Sequence, residues 1–173
     1  ELPALLAHLG KIGVNVPYDF GIHQDNKDST KYVADIYQSG LGMPDRDYYL
    51  KADDAKLAAA KAKYQTYVEH MLSMAGDKNA AANAKAIVDF ETEIAKVQWT
   101  KVELRDPVKA YNKVNLADLD KVAPGFDWKN WLDATGLSGK ASYVIVSQPT
   151  YLKSFVDVSN KTSLDTWKAY LSL

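Results

Sequence analysis

With no cysteine, this chain of 173 residues can do chemistry only through histidine, carboxylate, lysine or hydroxyl groups, and their spacing serves none of the common mechanisms. His8, His23 and His70 never stand three or four residues apart, the spacing that sets two imidazoles on one helical face to grip zinc. Glu69-His70 falls in a helical run and reads as a surface or boundary pair. Glu91 and Glu93 are two residues apart, so on a helix they point in different directions and do not pair as acid and base. No Gly-x-Ser-x-Gly elbow, phosphate-cradling glycine loop or basic stripe occurs. The 21 basic and 22 acidic residues leave a formal charge of −1, which carries no nucleic-acid footprint. The expectation is therefore no catalytic residue, no metal ligand and no bound cofactor within these residues.

Two runs carry more information than any single titratable group. Gln38-Ser39-Gly40-Leu41-Gly42-Met43-Pro44-Asp45-Arg46-Asp47-Tyr48-Tyr49-Leu50 collects two glycines that permit positive φ, a proline that fixes it, and two aspartates placed for the first turn of a helix. The residues alone describe a strand-to-helix connector. Arg46 is the one candidate substrate-binding residue, although a charge beside a helix start and two tyrosines reads more readily as a structural anchor. The second run is Trp99-Thr100-Lys101-Val102-Glu103-Leu104-Arg105-Asp106-Pro107-Val108-Lys109-Ala110-Tyr111-Asn112-Lys113. Asp106-Pro107 stops a helix, because a residue preceding proline avoids the α region, and Arg105 can then pair with a neighbouring helix end.

Together the two runs resemble the non-catalytic amino-terminal region of the neprilysin and endothelin-converting-enzyme family of zinc metallopeptidases. Gly40 to Tyr49 matches the family's Gly-Leu-Gly-hydrophobic-Pro-x-Arg-Asp-Tyr-Tyr at every defined position. Arg105-Asp106-Pro107 and Tyr111-Asn112-Lys113 match its later Arg-Asp-Pro and Tyr-Asn-Lys. Animal members often carry Cys just after the paired tyrosines, where Leu50 and Lys51 stand here, which points to a bacterial-type member. The resemblance implies a cap that closes the chamber over a catalytic region of the same parent chain and limits peptide substrates by size. It also implies that zinc, its His-Glu-x-x-His ligands and the base that takes a proton from the zinc-bound water belong to that other region. A periplasmic or extracellular compartment is expected on the same ground. Glu1-Leu2-Pro3 lacks a start and signal pattern, and the last apolar run lacks a stop signal, so an internal portion of a larger protein is expected. The alternative is a free-standing helical module that binds proteins or peptides without a catalytic partner.

The elements that must position these runs follow from hydrophobic spacing. A mainly α, multi-helix single domain over residues 1–173 with one β-hairpin near the amino terminus is expected. Val14 to Ile22 and Tyr32 to Tyr37 form the hairpin around turn residues Gln24 to Ser29. Leu57, Ala60, Tyr64, Tyr67, Met71 and Met74 mark a long helix opened by Asp53 and closed at Gly76. Ile87, Phe90, Ile94 and Val97 mark a second, from about residue 79 to about 101. Asn115 and Asp127 cap two short helices, the second ending at Gly136. Tyr143 to Val146 is strand or extended linker. Pro149 opens another helix, and Thr162 to Asp165 caps the last one. The aromatic set Trp128, Trp131, Tyr143, Tyr151, Phe155 and Trp167 reads as core or interface before it reads as a sugar or peptide platform. An exposed apolar strip is expected on the last helix, from among Trp167, Tyr170 and Leu171. No apolar run reaches the ~20 residues that cross a bilayer.

Overall fold

The computed structural model describes residues 1–173, all of the chain. Its elements are α1 (Leu2–Lys11), β1 (Tyr18–Asp25), β2 (Asp28–Gln38), α2 (Asp47–Leu50), α3 (Ala55–Met74), α4 (Ala80–Val97), β3 (Lys113–Asn115), α5 (Leu119–Val122), α6 (Trp128–Thr135), β4 (Tyr143–Val146), α7 (Pro149–Lys161) and α8 (Leu164–Leu171). The chain is mainly α. Backbone contacts group it into two compact units, one of residues 1–40 with 99–156, the other of residues 41–98 with 157–173.

The first unit holds a four-stranded sheet of order β1-β2-β4-β3. The expected hairpin is its first half, with Tyr18 opposite Gln38 and Ile22 opposite Ala34, closed at Asn26 and Lys27. Tyr143 to Val146, which spacing leaves between strand and linker, is an inner strand, parallel to β2 and antiparallel to β3. Burial on both sides explains its unbroken apolar run, with Val144, Ile145 and Val146 at most 2% exposed. The core beside the sheet is aromatic. Tyr18 meets Phe126, Trp128 and Phe155 at centroid distances of 5.0, 5.2 and 4.9 Å. Its hydroxyl donates to Leu152 O at 2.7 Å, and that of Tyr151 donates to Pro17 O at 2.9 Å, so neither buried phenol is left unpaired. The helix α1 lies outside the sequence expectation, because Glu1 makes no side-chain cap; its buried Leu6 and Ala7 and its packing on α6 hold it instead.

The second unit is a small helical bundle built around α4, which buries Ala84, Ile87, Val88, Phe90, Glu91, Ile94 and Ala95. The helix α3 starts at Asp54, whose side chain accepts from the Lys56 and Leu57 amides, one residue beyond the expected cap. Along its second half the face turned inward is Val68 and Leu72, while Tyr67 and Met74 stand 56% and 65% exposed. The helix α4 stops at Val97, four residues short of the expected end, because Gln98 takes extended backbone at φ −72°, ψ 149°. The exposed strip expected on α8 does not form on Trp167 or Tyr170. Both rings pack edge-on against Phe90 at 5.0 Å and are at most 8% exposed, because α8 turns its aromatic face onto α4.

Candidate functional site

The Leu41 to Leu50 segment and the α3 and α4 faces beneath it form a densely hydrogen-bonded polar site. Asp45 Oδ1 accepts from the Asp47 amide at 2.8 Å just ahead of α2, and Arg46, at the N-cap position, sends its side chain elsewhere. Its Nε donates to Ala95 O at 3.0 Å and its Nη2 to Lys96 O at 3.5 Å. These carbonyls belong to the last turn of α4, where backbone acceptors lack helical partners and the helix dipole favours a cation. Arg46 is thus seated at a helix end, whereas the sequence pointed to a helix start.

Glu91 lies under the same segment, on the buried face of α4. It is 2% exposed, and three donors are aimed at its carboxylate. Gly42 N–H donates to Oε1 at 2.9 Å, Tyr64 O–H to Oε1 at 3.1 Å and Tyr49 O–H to Oε2 at 2.9 Å. Met43 N–H in turn donates to the Tyr49 hydroxyl at 3.0 Å. Burial pushes the Glu91 carboxyl up from 4.5 to about 7, against the pull of the two tyrosines and the Gly42 amide. Gly42 is fixed by close approach: a Cβ there would stand 1.9 Å from Tyr64 Oη. In the sequence Glu91 reads only as half of a failed pair with Glu93. The overlooked signal was its position, four after Ile87 and three before Ile94, a charge in a helix's apolar stripe.

The second run is built in the first unit and is wired differently. Glu103 Oε2 accepts from the Thr100 amide and hydroxyl at 2.9 and 3.0 Å, and Oε1 accepts from Lys109 Nζ at 3.0 Å. Those bonds, the Thr100 amide first, hold its carboxyl at about 2, below the usual 4.5. Lys109 Nζ also sits 4.5 Å from the centroid of Trp99, whose indole N–H donates to Thr150 Oγ1 at 2.6 Å. The Trp99 amide and carbonyl are both taken by the Gln38 side chain, at 2.8 and 3.3 Å. Among its charged side chains the run also shows apolar groups to solvent, with Val102 76% and Val108 81% exposed. Arg105 is exposed there, its amide donates to Val102 O at 3.2 Å and its side chain makes no hydrogen bond or ion pair, so the helix-end role expected of it falls to Arg46.

Two other polar clusters are structural in geometry. Asp25, 3% exposed, accepts from the hydroxyls of Tyr111 and Tyr143 at 2.8 and 2.9 Å and from the Lys27 amide at 2.9 Å. Asp35 accepts from Ser147 Oγ at 2.7 Å and faces His23 Nε2 at 3.4 Å. Asp35 therefore stands between serine and histidine, so the imidazole does not contact the hydroxyl and the trio lacks the serine–histidine–aspartate order of a nucleophilic triad. His8, His23 and His70 sit on α1, β1 and α3, and no three His, Asp or Glu side chains converge as a metal would require. The residues of this chain do not fit a zinc site.

The chain thus combines helices with a small mixed sheet and two ordered motif runs. The family model for peptidase family M13, amino-terminal part, matches residues 1–173. The chain belongs to peptidase family M13. The endothelin-converting enzyme homolog of Locusta migratoria is 31% identical over 147 residues, covering 82% of this chain and 20% of that protein. Endothelin-converting enzyme 1 of Cavia porcellus is 32% identical, covering 82% and 19%. The crystal structure of Mycobacterium tuberculosis zinc metalloprotease ZMP1 in complex with an inhibitor superposes with a TM-score of 0.88 at 33% identity, over 98% of this chain and 26% of that one. The chain thus spans about a fifth of the curated relatives' length.

Proposed function

We propose that residues 1–173 act as one region, the non-catalytic cap of a zinc metalloendopeptidase, enclosing its active-site chamber and admitting peptides by size. The supporting observation is the likeness to ZMP1, which covers 98% of this chain but only 26% of the protease, alongside a donor set here that does not fit zinc. In this reading the catalytic region of the same polypeptide is the partner, zinc is held there, the substrates are peptides and the compartment is periplasmic or extracellular. Arg46 serves as an anchor, since its Nε is bonded to Ala95 O.

Metal analysis and quenched-peptide assays on residues 1–173 and on the full-length gene product test this. The full-length protein should hold about one zinc and cleave short peptides with chelator sensitivity, and its rate should fall steeply with substrate length. One equivalent of zinc with cleavage by residues 1–173 alone overturns it. A full-length sequence without His-Glu-x-x-His favours the interaction-module alternative.

A further inference from the structure

The Leu41 to Leu50 segment rests on a carboxylate that has been taken out of water and then surrounded only by donors. Gly42 N–H, Tyr64 O–H and Tyr49 O–H converge on Glu91 from the segment, from α3 and from α2, at 2.9, 3.1 and 2.9 Å. Tyr49 accepts from Met43 N–H, so its own proton has Glu91 as its acceptor. No cation bonds the carboxylate. The cations on the surrounding elements are engaged elsewhere: Lys61 Nζ with Tyr49 O and Thr92 Oγ1, and Arg46 with Ala95 O and Lys96 O. On α4 itself the neighbouring charge, Glu93, is exposed and paired with Lys96. Tyr49 also lines an open cavity of about 270 Å³ together with Tyr48, Lys51, Lys61 and Gln65, which brings solvent to the edge of the cluster.

We propose that Glu91, clasped by Gly42, Tyr49 and Tyr64, is a proton-operated latch that sets how firmly the Leu41 to Leu50 segment is held on α3 and α4. The direction follows from linkage. In the closed segment burial raises the carboxyl to about 7, while in an opened, hydrated segment it returns to its ordinary 4.5. The closed form thus binds the proton more tightly, so the segment is held most firmly below 4.5 and loosens as pH rises from 4.5 through about 7, with no further change above. The proton goes to a carboxylate oxygen, and the Tyr49 hydroxyl must then reorient. Linkage between 4.5 and about 7 makes opening about tenfold less frequent at pH 6 than at pH 8. The latch does not depend on the cap assignment.

Amide hydrogen exchange of the peptide spanning Leu41 to Leu50, followed by mass spectrometry on the full-length protein and corrected for the intrinsic exchange rate, tests the latch. Protection should rise about tenfold from pH 8 to pH 6 and level off below 4.5. E91Q should abolish the pH dependence, and Y64F, which removes one donor to the ionised form, should move the midpoint upward. A flat wild-type profile overturns the proposal, as does an unchanged profile in E91Q. Should E91Q fail to fold, an unmoved Y64F midpoint overturns it equally.

Discussion

Glu91, on α4 beneath the first sequence run, and Glu103, within the second, are shifted in opposite directions, one up to about 7 and one down to about 2. Both are fully hydrogen-bonded, so donors alone do not explain the contrast. Glu91 is 2% exposed with tyrosine and amide partners, whereas Glu103 accepts from the Thr100 amide and then from the Lys109 ammonium at a half-exposed site. Loss of water dominates the first, and charge-assisted bonding in water dominates the second. A motif match therefore says nothing about burial: one run is a knot tied inside a bundle, and the other is a self-bonded loop that presents apolar groups to solvent.

The contrast breaks most sharply at Gly42. Gly42→Ala places a methyl 1.9 Å from Tyr64 Oη, which must leave Glu91 or push the segment away. The expected loss is about 3 kcal/mol, from overpacking plus a buried group left short of a partner, read as a lowered urea midpoint at unchanged slope. An unaltered midpoint would show the segment to be as pliant as the exposed loop. Arg46→Ala comes next. Removing a cation from the Ala95 and Lys96 carbonyls at the end of α4 should cost about 1.5 kcal/mol. Peptide cleavage by the full-length protein, measured below its melting range, should be unchanged; impaired cleavage with an unchanged melt would move Arg46 from anchor to substrate contact.

How much of this could be read from the chain follows the same division between local and tertiary causes. Caps and stops set by one or two residues were legible: Asp127 accepts from Asn130 N–H, Gly136 closes α6 at φ 82°, and Ser163 caps α8 through the Thr166 amide. Elements decided by distant partners were not. The strand β4 exists because β2 and β3 lie on either side of it, and the end of α4 is fixed by Gln98's turn to extended backbone. Trp167 and Tyr170 had no assignable partner until Phe90 supplied one. At the candidate site the glycine and arginine positions stood out in sequence, but Glu91 needs Tyr49 and Tyr64, 42 and 27 residues away, before its environment has meaning.

The loop offers two milder tests. Its carboxyl is held low, so the stability Glu103 contributes is present above 4.5 and is lost as pH falls through about 2, opposite in sense to Glu91. Exchange of the peptide from Thr100 to Lys109 should therefore accelerate, relative to its intrinsic rate, as pH falls from 5 to 2. Glu103→Gln should show the faster exchange already at pH 5, and an unchanged profile would detach Glu103 from the order of the loop.

The smallest effect belongs to the loop's outer face. Val108 is 81% exposed, so Val108→Ser removes almost no buried area and exposes no unpaired group. Its effect on the unfolding midpoint should stay within about 0.5 kcal/mol. A larger loss in residues 1–173 would mean that the side chain is covered after all and that the loop resembles the Glu91 knot more than its surface implies. The same substitution in the full-length protein sharpens the comparison, because there the cap reading supplies a catalytic region that could cover this face. A loss confined to the full-length protein would mark Val108 as a contact between the two regions. A neutral result in both would leave the Thr100 to Lys109 run as a loop whose order comes from its own Glu103, Lys109 and Asp106 bonds.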